Sequence, residues 1–373
     1  MKVQFPGFRT LDRYILGKFL GTYLFAIAMI IIVVVIFDYV EKIDDFTELH
    51  APLSEIIFDY YLNFIPFFIN QFSSLFTFIA VIFFTSKMAY RTEIVAMLSG
   101  GMSFRRMMWP YFLGASFIAG LSLVLSLWVI PVSQGDCVEF ESKYIKRRKN
   151  FKYDKHIHRQ IEPGKYVYIR NFSSTTGQAT YFALEQYENN TITASLEAAD
   201  AVFNPETKRW TASRYITRTF DSIRPADSVA YDNFMQHRNL DTLINLDVRE
   251  LGNINELIKT MRIDELRDFL EQQRSKGSPS IRMIEVENQS RYAYPLSAFV
   301  LTLIGVSLSS RKVRGGTGLH IGAGIALCFS YILLNRFFSE FAKSGAMPVV
   351  PAVWLPNIMY LIIGIYLYKK APK

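Results

Sequence analysis

Residues 91–106, RTEIVAMLSGGMSFRR, are polar enough to leave a bilayer and apolar enough to be buried. Ile94, Val95, Met97 and Leu98 recur at helical spacing, Glu93 falls in the first turn where the helix dipole favours an anion, and Gly100-Gly101 ends the run. The stretch reads as a helix of about two turns, too short to persist alone in water. It needs a surface to lie on, and the sequence supplies none obvious of its own.

The flanking sequence can only be membrane-spanning. The chain has 373 residues, half of them hydrophobic, with 31 Phe, and its apolar residues come in blocks. Residues 20–37, 60–86, 107–135, 292–310, 319–335 and 344–368 carry no Asp, Glu, Lys or Arg. Uncharged runs of about 18 or more residues are candidate spans, because about 20 residues at about 1.5 Å each cross the hydrocarbon. The chain thus divides into a membrane half, residues 1–135 with three spans, a charged insert, residues 136–290, and a second membrane half, residues 291–373 with three more.

The insert holds 23 Lys+Arg and 23 Asp+Glu, so the net +8 of the chain belongs to the membrane halves. A neutral soluble domain argues against nucleic acid as a partner. Lys and Arg crowd the tail 1–19, the 87–106 loop, the 311–318 loop and the C-terminus, whereas the opposite short loops have only Lys42 and Lys343. The positive-inside rule then puts both termini in the cytosol and the insert on the far side. The long first span has no small-residue cleavage site and reads as a retained anchor.

Further expectations follow along the chain. The tail alternates basic and aromatic residues, as an interfacial helix would. The first span ends at Phe37 before an acidic loop, DYVEKIDDFTEL, where Lys42 either meets an anionic headgroup or snorkels beside Glu41 or Asp45. Pro66, Asn63, Asn70 and Gln71 mark a bent, partly polar second span, suited to a cavity or to helix–helix hydrogen bonds. Gly114, Ala115, Ser116, Ala119, Gly120 and Ser122 form a small-residue stripe in the third. Arg336, about 25 Å up the fifth span from its inner edge, could reach phosphate or simply snorkel.

Within the insert, residues 156–248 are β-branched and aromatic with turn residues about every ten positions, which predicts a sandwich or jelly roll with one oily face carrying Phe182 and Val202. His156 and His158 would share a strand face, with no third metal ligand nearby. NINELIKTMRIDELRDFLEQQ is helical, with Leu257, Met261, Leu266, Phe269 and Leu270 on one side. No catalytic constellation stands out, and no GxxxxGK[ST] phosphate loop occurs. The two cysteines, Cys137 and Cys328, are too differently placed to suggest a disulfide.

Three segments together resemble one family. EIVAMLSGGMSFRRM, YPLSAFVLTLIGVSLSSRKVRGGTGLHIGAGIALCFSY and MPVVPAVWLPNIMYLIIGIYL look like the LptF/LptG-type permeases of the lipopolysaccharide exporter, and the plan of three spans, domain, three spans matches. The resemblance implies a polytopic α-helical membrane protein with six transmembrane helices and an inserted periplasmic β-jellyroll-like domain. It implies an inner-membrane permease of a Gram-negative bacterium, paired with a second LptF/LptG-type permease over a cytosolic ABC ATPase dimer that binds ATP and Mg. Lipopolysaccharide would pass to periplasmic LptC/LptA-like jellyroll proteins. By the same resemblance, 91–103 is the coupling helix, with Arg91, Glu93, Ile94, Met97, Leu98 and Gly100 meeting the ATPase and Glu93 at the acidic position. Spans one, two and five would line the lipid cavity, with Lys42 matching the basic position near the outer end of span one.

Two other classes compete. A mechanotransmission ABC protein usually has four spans with one insertion after the first. A non-transporting scaffold or sensor would lack ATPase partners, and the sensor would need a cytosolic signalling domain, whereas the inside segments here are all short.

Overall fold

The structure is a computed structural model, which describes all residues except 1–9, 146–153, 174–175, 190, 205–206, 208, 221–232, 245–250, 252–253, 311–316 and 372–373. Lys2 and Arg9 of the tail, Arg311, Lys312 and Arg314 of the 311–318 loop, and Lys373 lie outside the described residues. The chain forms two compact units, one made of residues up to Phe140 with those from Glu285 onward, the other of Glu141–Ile284.

Among the described residues six helices are long and apolar enough to cross a membrane: α1 (Thr10–Glu48), α2 (Leu53–Tyr90), α4 (Phe104–Tyr144), α7 (Ile281–Ser309), α8 (Thr317–Ser344) and α9 (Val349–Lys370). The short helix α3 (Glu93–Ser99) joins α2 to α4. The spans match the uncharged runs, yet the helices outlast them. α1 does not stop at Phe37 but runs on through the predicted acidic loop to Glu48. Charge ends the oily run without ending the helix, because Phe46 still finds an aromatic cluster, 6.2 Å from Tyr60 and 6.0 Å from Phe140 between ring centroids. α4 likewise passes Pro131 to Tyr144. The π turns Ile56–Tyr61 and Leu125–Val129 stand just before Pro66 and Pro131, where the missing proline amides leave carbonyls to be accommodated.

Close approaches hold these helices together. A Cβ on Gly114 would lie 2.5 Å from the Phe19 ring and one on Gly324 would lie against Ile82, so α1 meets α4 and α8 meets α2 where side chains are missing. The remainder of the predicted stripe is mixed, since Gly120 faces open space. Polar seams add direction: Tyr23 with Ser73, Ser74 with Ser297, and Asn70 with Ser122 and Ser126. Asn70 therefore serves helix–helix bonding, and Asn63 bonds locally to the Asp59 carbonyl.

In the second unit, β1 (Asp154–Glu162), β2 (Lys165–Ser173), β3 (Gln178–Glu188), β4 (Thr191–Asn204), β5 (Arg209–Thr219) and β6 (Asn233–Leu243) form one antiparallel sheet in chain order. A crease crosses it. By register His156, Arg170, Tyr181 and Ala199 stand level, and the ladder skips each of these pairs while resuming on both sides. His156 and Tyr181 take left-handed φ of 56° and 52°, which breaks the pleat. The buried positions change parity across this line, from Val167, Ile169, Phe182 and Ala198 on one leaf to Phe172, Ala179, Ala201, Trp210 and Ala212 on the other.

Phe182 is level with Tyr215, five residues along β5 from Trp210. In a flat sheet their Cα atoms would be about 19 Å apart, at about 3.3 Å per residue and about 4.8 Å per strand. Their rings instead stack with centroids 5.3 Å apart. The meander is folded over along the crease, so one sheet encloses the jelly-roll-like core expected of two. Two helices, α5 (Ile254–Thr260) and α6 (Ile263–Lys276), follow with their own apolar cluster of Ile258, Leu266, Phe269 and Leu270. The single helix expected there breaks at Met261-Arg262.

Candidate functional site

The elbow between α2 and α4 starts with a sharp reversal. Thr92 has φ 61° and Gly101 φ 85°, left-handed conformations that turn the chain out of α2 and into α4, the second suited to glycine. Between them α3 rolls Ile94 inward to 1% exposure, into the cluster that holds Met88, Ala89, Met107 and Tyr111. Met97 and Leu98 pack against the same cluster, while Arg91, Val95, Ala96, Ser99 and Gly100 are exposed. Two corrections follow. The chain does supply a surface for this helix, the ends of α2 and α4, and Ile94 is spent on that contact, not presented to a partner.

Glu93 lies at the boundary of the two faces and accepts a hydrogen bond from the Tyr14 hydroxyl at 3.1 Å. A second tie, absent from the sequence reading, runs beside it. Arg106 in the first turn of α4 donates through both terminal nitrogens to the two carboxylate oxygens of Asp12, each at 2.5 Å. Asp12 is 2% exposed. The available signal was that Asp12 is the sole acidic residue among residues 1–19.

At the other end of α1, Lys42 forms an ion pair with Asp38 at 2.8 Å, contacts the Tyr60 hydroxyl, and lies 4.6 Å from the centre of the Tyr60 ring. The predicted partners Glu41 and Asp45 are replaced by Asp38 because that carboxylate is one turn back on the face turned toward α2, where Tyr60 and Tyr61 also donate to it. Lys42 is thus held among aromatic rings and a carboxylate. Arg336 is far more open, its side chain 80% exposed and 3.8 Å from Glu340, which also pairs with Lys343 at 3.0 Å.

In the sheet, Phe182 is fully buried as expected, with Trp210 stacked on it and Phe172 and Phe203 against the indole at 6.0 and 5.4 Å. Val202 does not face inward. It is 39% exposed, because past the crease the odd positions of β4, Ala201 and Phe203, take the inner side. His156 bonds through Nδ1 to the Tyr168 hydroxyl at 2.7 Å, and the His158 ring lies 4.5 Å from that of Tyr168. Among the described residues no three His, Cys, Asp or Glu side chains converge as metal ligands. An open cleft of about 540 Å³ is lined by His158, Gly164, Tyr166, Glu185, Tyr187 and Asn189. There the Glu185 carboxylate, accepting the Tyr187 hydroxyl, raises that phenol's pKa, with burial adding to it.

Compared with known families, the chain matches the one described as Lipopolysaccharide export system permease LptF/LptG over residues 13–370. No curated protein matches it.

Proposed function

We infer the working of this chain from one premise: it belongs to the family of lipopolysaccharide export system permeases LptF/LptG, and it is the permease, not the ATPase, of that ABC transporter. It is a multi-pass membrane protein of lipopolysaccharide export. The finer reading is a proposal. This chain and a second LptF/LptG-type permease sit on a dimer of a separate cytosolic ATPase, which binds and hydrolyses ATP with Mg. Lipopolysaccharide leaves the inner membrane of a Gram-negative bacterium through a cavity bounded by α1, α2 and α8. It then passes to the β unit and on to LptC/LptA-like jellyroll proteins. Loop charges support cytosolic termini and a periplasmic insert of about residues 136–290 between the membrane halves.

One observation carries this reading: α3 is fastened on its inner side and bare on its outer side. A helix of seven residues held by Ile94 and presenting Val95, Ala96 and Ser99, with Arg91 exposed in the turn before it, is suited to enter a groove on another protein and to move as one piece with the ends of α2 and α4. Glu93, on the boundary, is within reach of a cation on that protein. Pairing of permeases is supported by burial. Only 17% of the most apolar stretch of α1 and of α8 is buried, against 72% for α7, so those two spans have apolar flanks to offer.

The test is purification from mild detergent. An ATPase and a second permease should come with this chain, and Glu93→Arg should lower lipopolysaccharide-stimulated ATP hydrolysis without preventing membrane insertion. Recovery of the chain without any ATPase would overturn the proposal.

A further inference from the structure

We propose that the Asp12–Arg106 ion pair is the joint through which movement of the elbow reaches α1, so that both are positioning residues for transport. This rests on the reading that an ATPase engages α3. The two side chains stand 94 residues apart, one in the first turn of α1 and the other in the first turn of α4. The fork of Arg106 grips both oxygens of Asp12, which fixes orientation as well as distance. Ser103 anchors the root of that fork, since its side chain accepts from the Arg106 amide at 3.3 Å. Tyr14, two residues beyond Asp12, reaches Glu93 at the opposite end of the elbow. The start of α1 is therefore held at both edges of the segment that α3 occupies.

With Asp12 buried and Arg106 half-buried, the pair is a poor device for stability alone, because desolvating the charges offsets much of their attraction. It is a good device for transmitting a displacement. An apolar contact can slide, whereas a two-pronged charged contact is either made or broken. What lies beyond it is a single helix. α1 has 39 residues without interruption, a rod of about 58 Å, with Asp12 about 45 Å from Lys42 along the axis. Phe19 in the notch at Gly114 and Tyr23 on Ser73 guide its lower half. Above Ile31 it bares Ile32, Val33, Ile36 and Phe37 before Asp38 and Lys42 meet α2 again. A push on the elbow, delivered at Asp12, is thus carried to the far end of the cavity by a span whose flank is largely bare.

The experiment uses the full transporter in lipid nanodiscs and measures lipopolysaccharide released per ATP hydrolysed, together with ATPase recovery and thermal stability. Asp12→Asn and Arg106→Gln should keep the ATPase bound and hydrolysing, while release per ATP falls by about tenfold, the scale of a broken coupling. The exchanged pair, Asp12→Arg with Arg106→Asp, should recover release. Arg106→Lys, which keeps the charge and loses the fork, should fall between and serves if the neutral variants fold poorly. A merely structural pair would lower yield and melting temperature but leave release per ATP unchanged in the molecules that assemble, and that result overturns the joint. Single variants that uncouple without recovery in the exchanged pair would also overturn it. Absence of an ATPase from the unmodified complex would instead refute the reading on which the joint rests.

Discussion

Trp210→Ala tests the crease. Trp210 is fully buried, and its ring touches Phe182 on one leaf and Phe172 and Phe203 on its own. Truncating a buried tryptophan costs about 3–5 kcal/mol, of which an aromatic stack contributes about 0.5–1.5. If the leaves close as one unit, a loss of about 4 kcal/mol raises the population of the opened sheet by about a thousandfold. Hydrogen exchange on the full-length protein in detergent reads this directly, provided amides of residues 165–169 and 182–188 are followed beside those of 209–213. Both groups should accelerate together. Acceleration confined to the Trp210 leaf, or below about tenfold overall, refutes a fold in which the two leaves share one core. A double-mutant cycle with Phe182→Leu adds a second criterion, a coupling of about 1 kcal/mol between side chains that a flat sheet would keep far apart.

Other outcomes follow from the same geometry. Glu93→Arg removes the acceptor of the Tyr14 hydroxyl and reverses the charge at the edge of the elbow, so stimulated ATP hydrolysis should drop while insertion, judged by membrane fractionation, is kept. Photocrosslinkers at Phe203 or Leu184, on the inner side of the sheet, should label lipopolysaccharide in cells more than one at Val202, which faces out; equal labelling at the three positions would remove the sheet interior from the lipid path. Gly114→Val should destabilise the detergent-solubilised protein by about 1–3 kcal/mol in thermal unfolding, through overpacking on Phe19, whereas Gly120→Val, with open space around it, should be nearly silent.

Much of this was legible from composition. Charge-free runs located the six spans, because a bilayer forbids what water tolerates. The strands were legible from β-branched and aromatic residues at turn-bounded spacing. The helix ends were not, since Asp38, Glu41 and Asp44 end hydropathy while Phe46 still buries its ring. Nor was the crease, because left-handed φ falls at His156 and Tyr181, where no glycine announces it. That hidden half-turn is what moved Val202 outside. In the elbow, the helix and its boundary residues followed from sequence, but which of Ile94 and Val95 is covered depends on how α2 and α4 end, and no local pattern encodes that. Asp12 and Arg106 were visible separately and could not be paired across 94 positions.

The fastenings of α1 make a prediction about motion that static burial alone does not. At its start it is tied by Asp12 and Tyr14, and toward its end by Asp38, Lys42 and Phe46, all directional contacts. Between Ile31 and Asp38 its outward residues have none, and the helix has no internal proline or π turn to bend at. α2 and α4 do have π turns, Ile56–Tyr61 near the upper end of α2 and Leu125–Val129 just past the middle of α4. A rigid rod tied to two jointed neighbours cannot flex itself, so it must tilt while they yield. Strain should therefore collect at Tyr60 and Tyr61, which sit in the π turn of α2 and also hold the upper end of α1 through Asp38. Amides around Tyr60 should exchange faster when ATP is turned over than when it is absent. Protection there unchanged by turnover would mean that α1 does not tilt, and that the cavity opens by some other span.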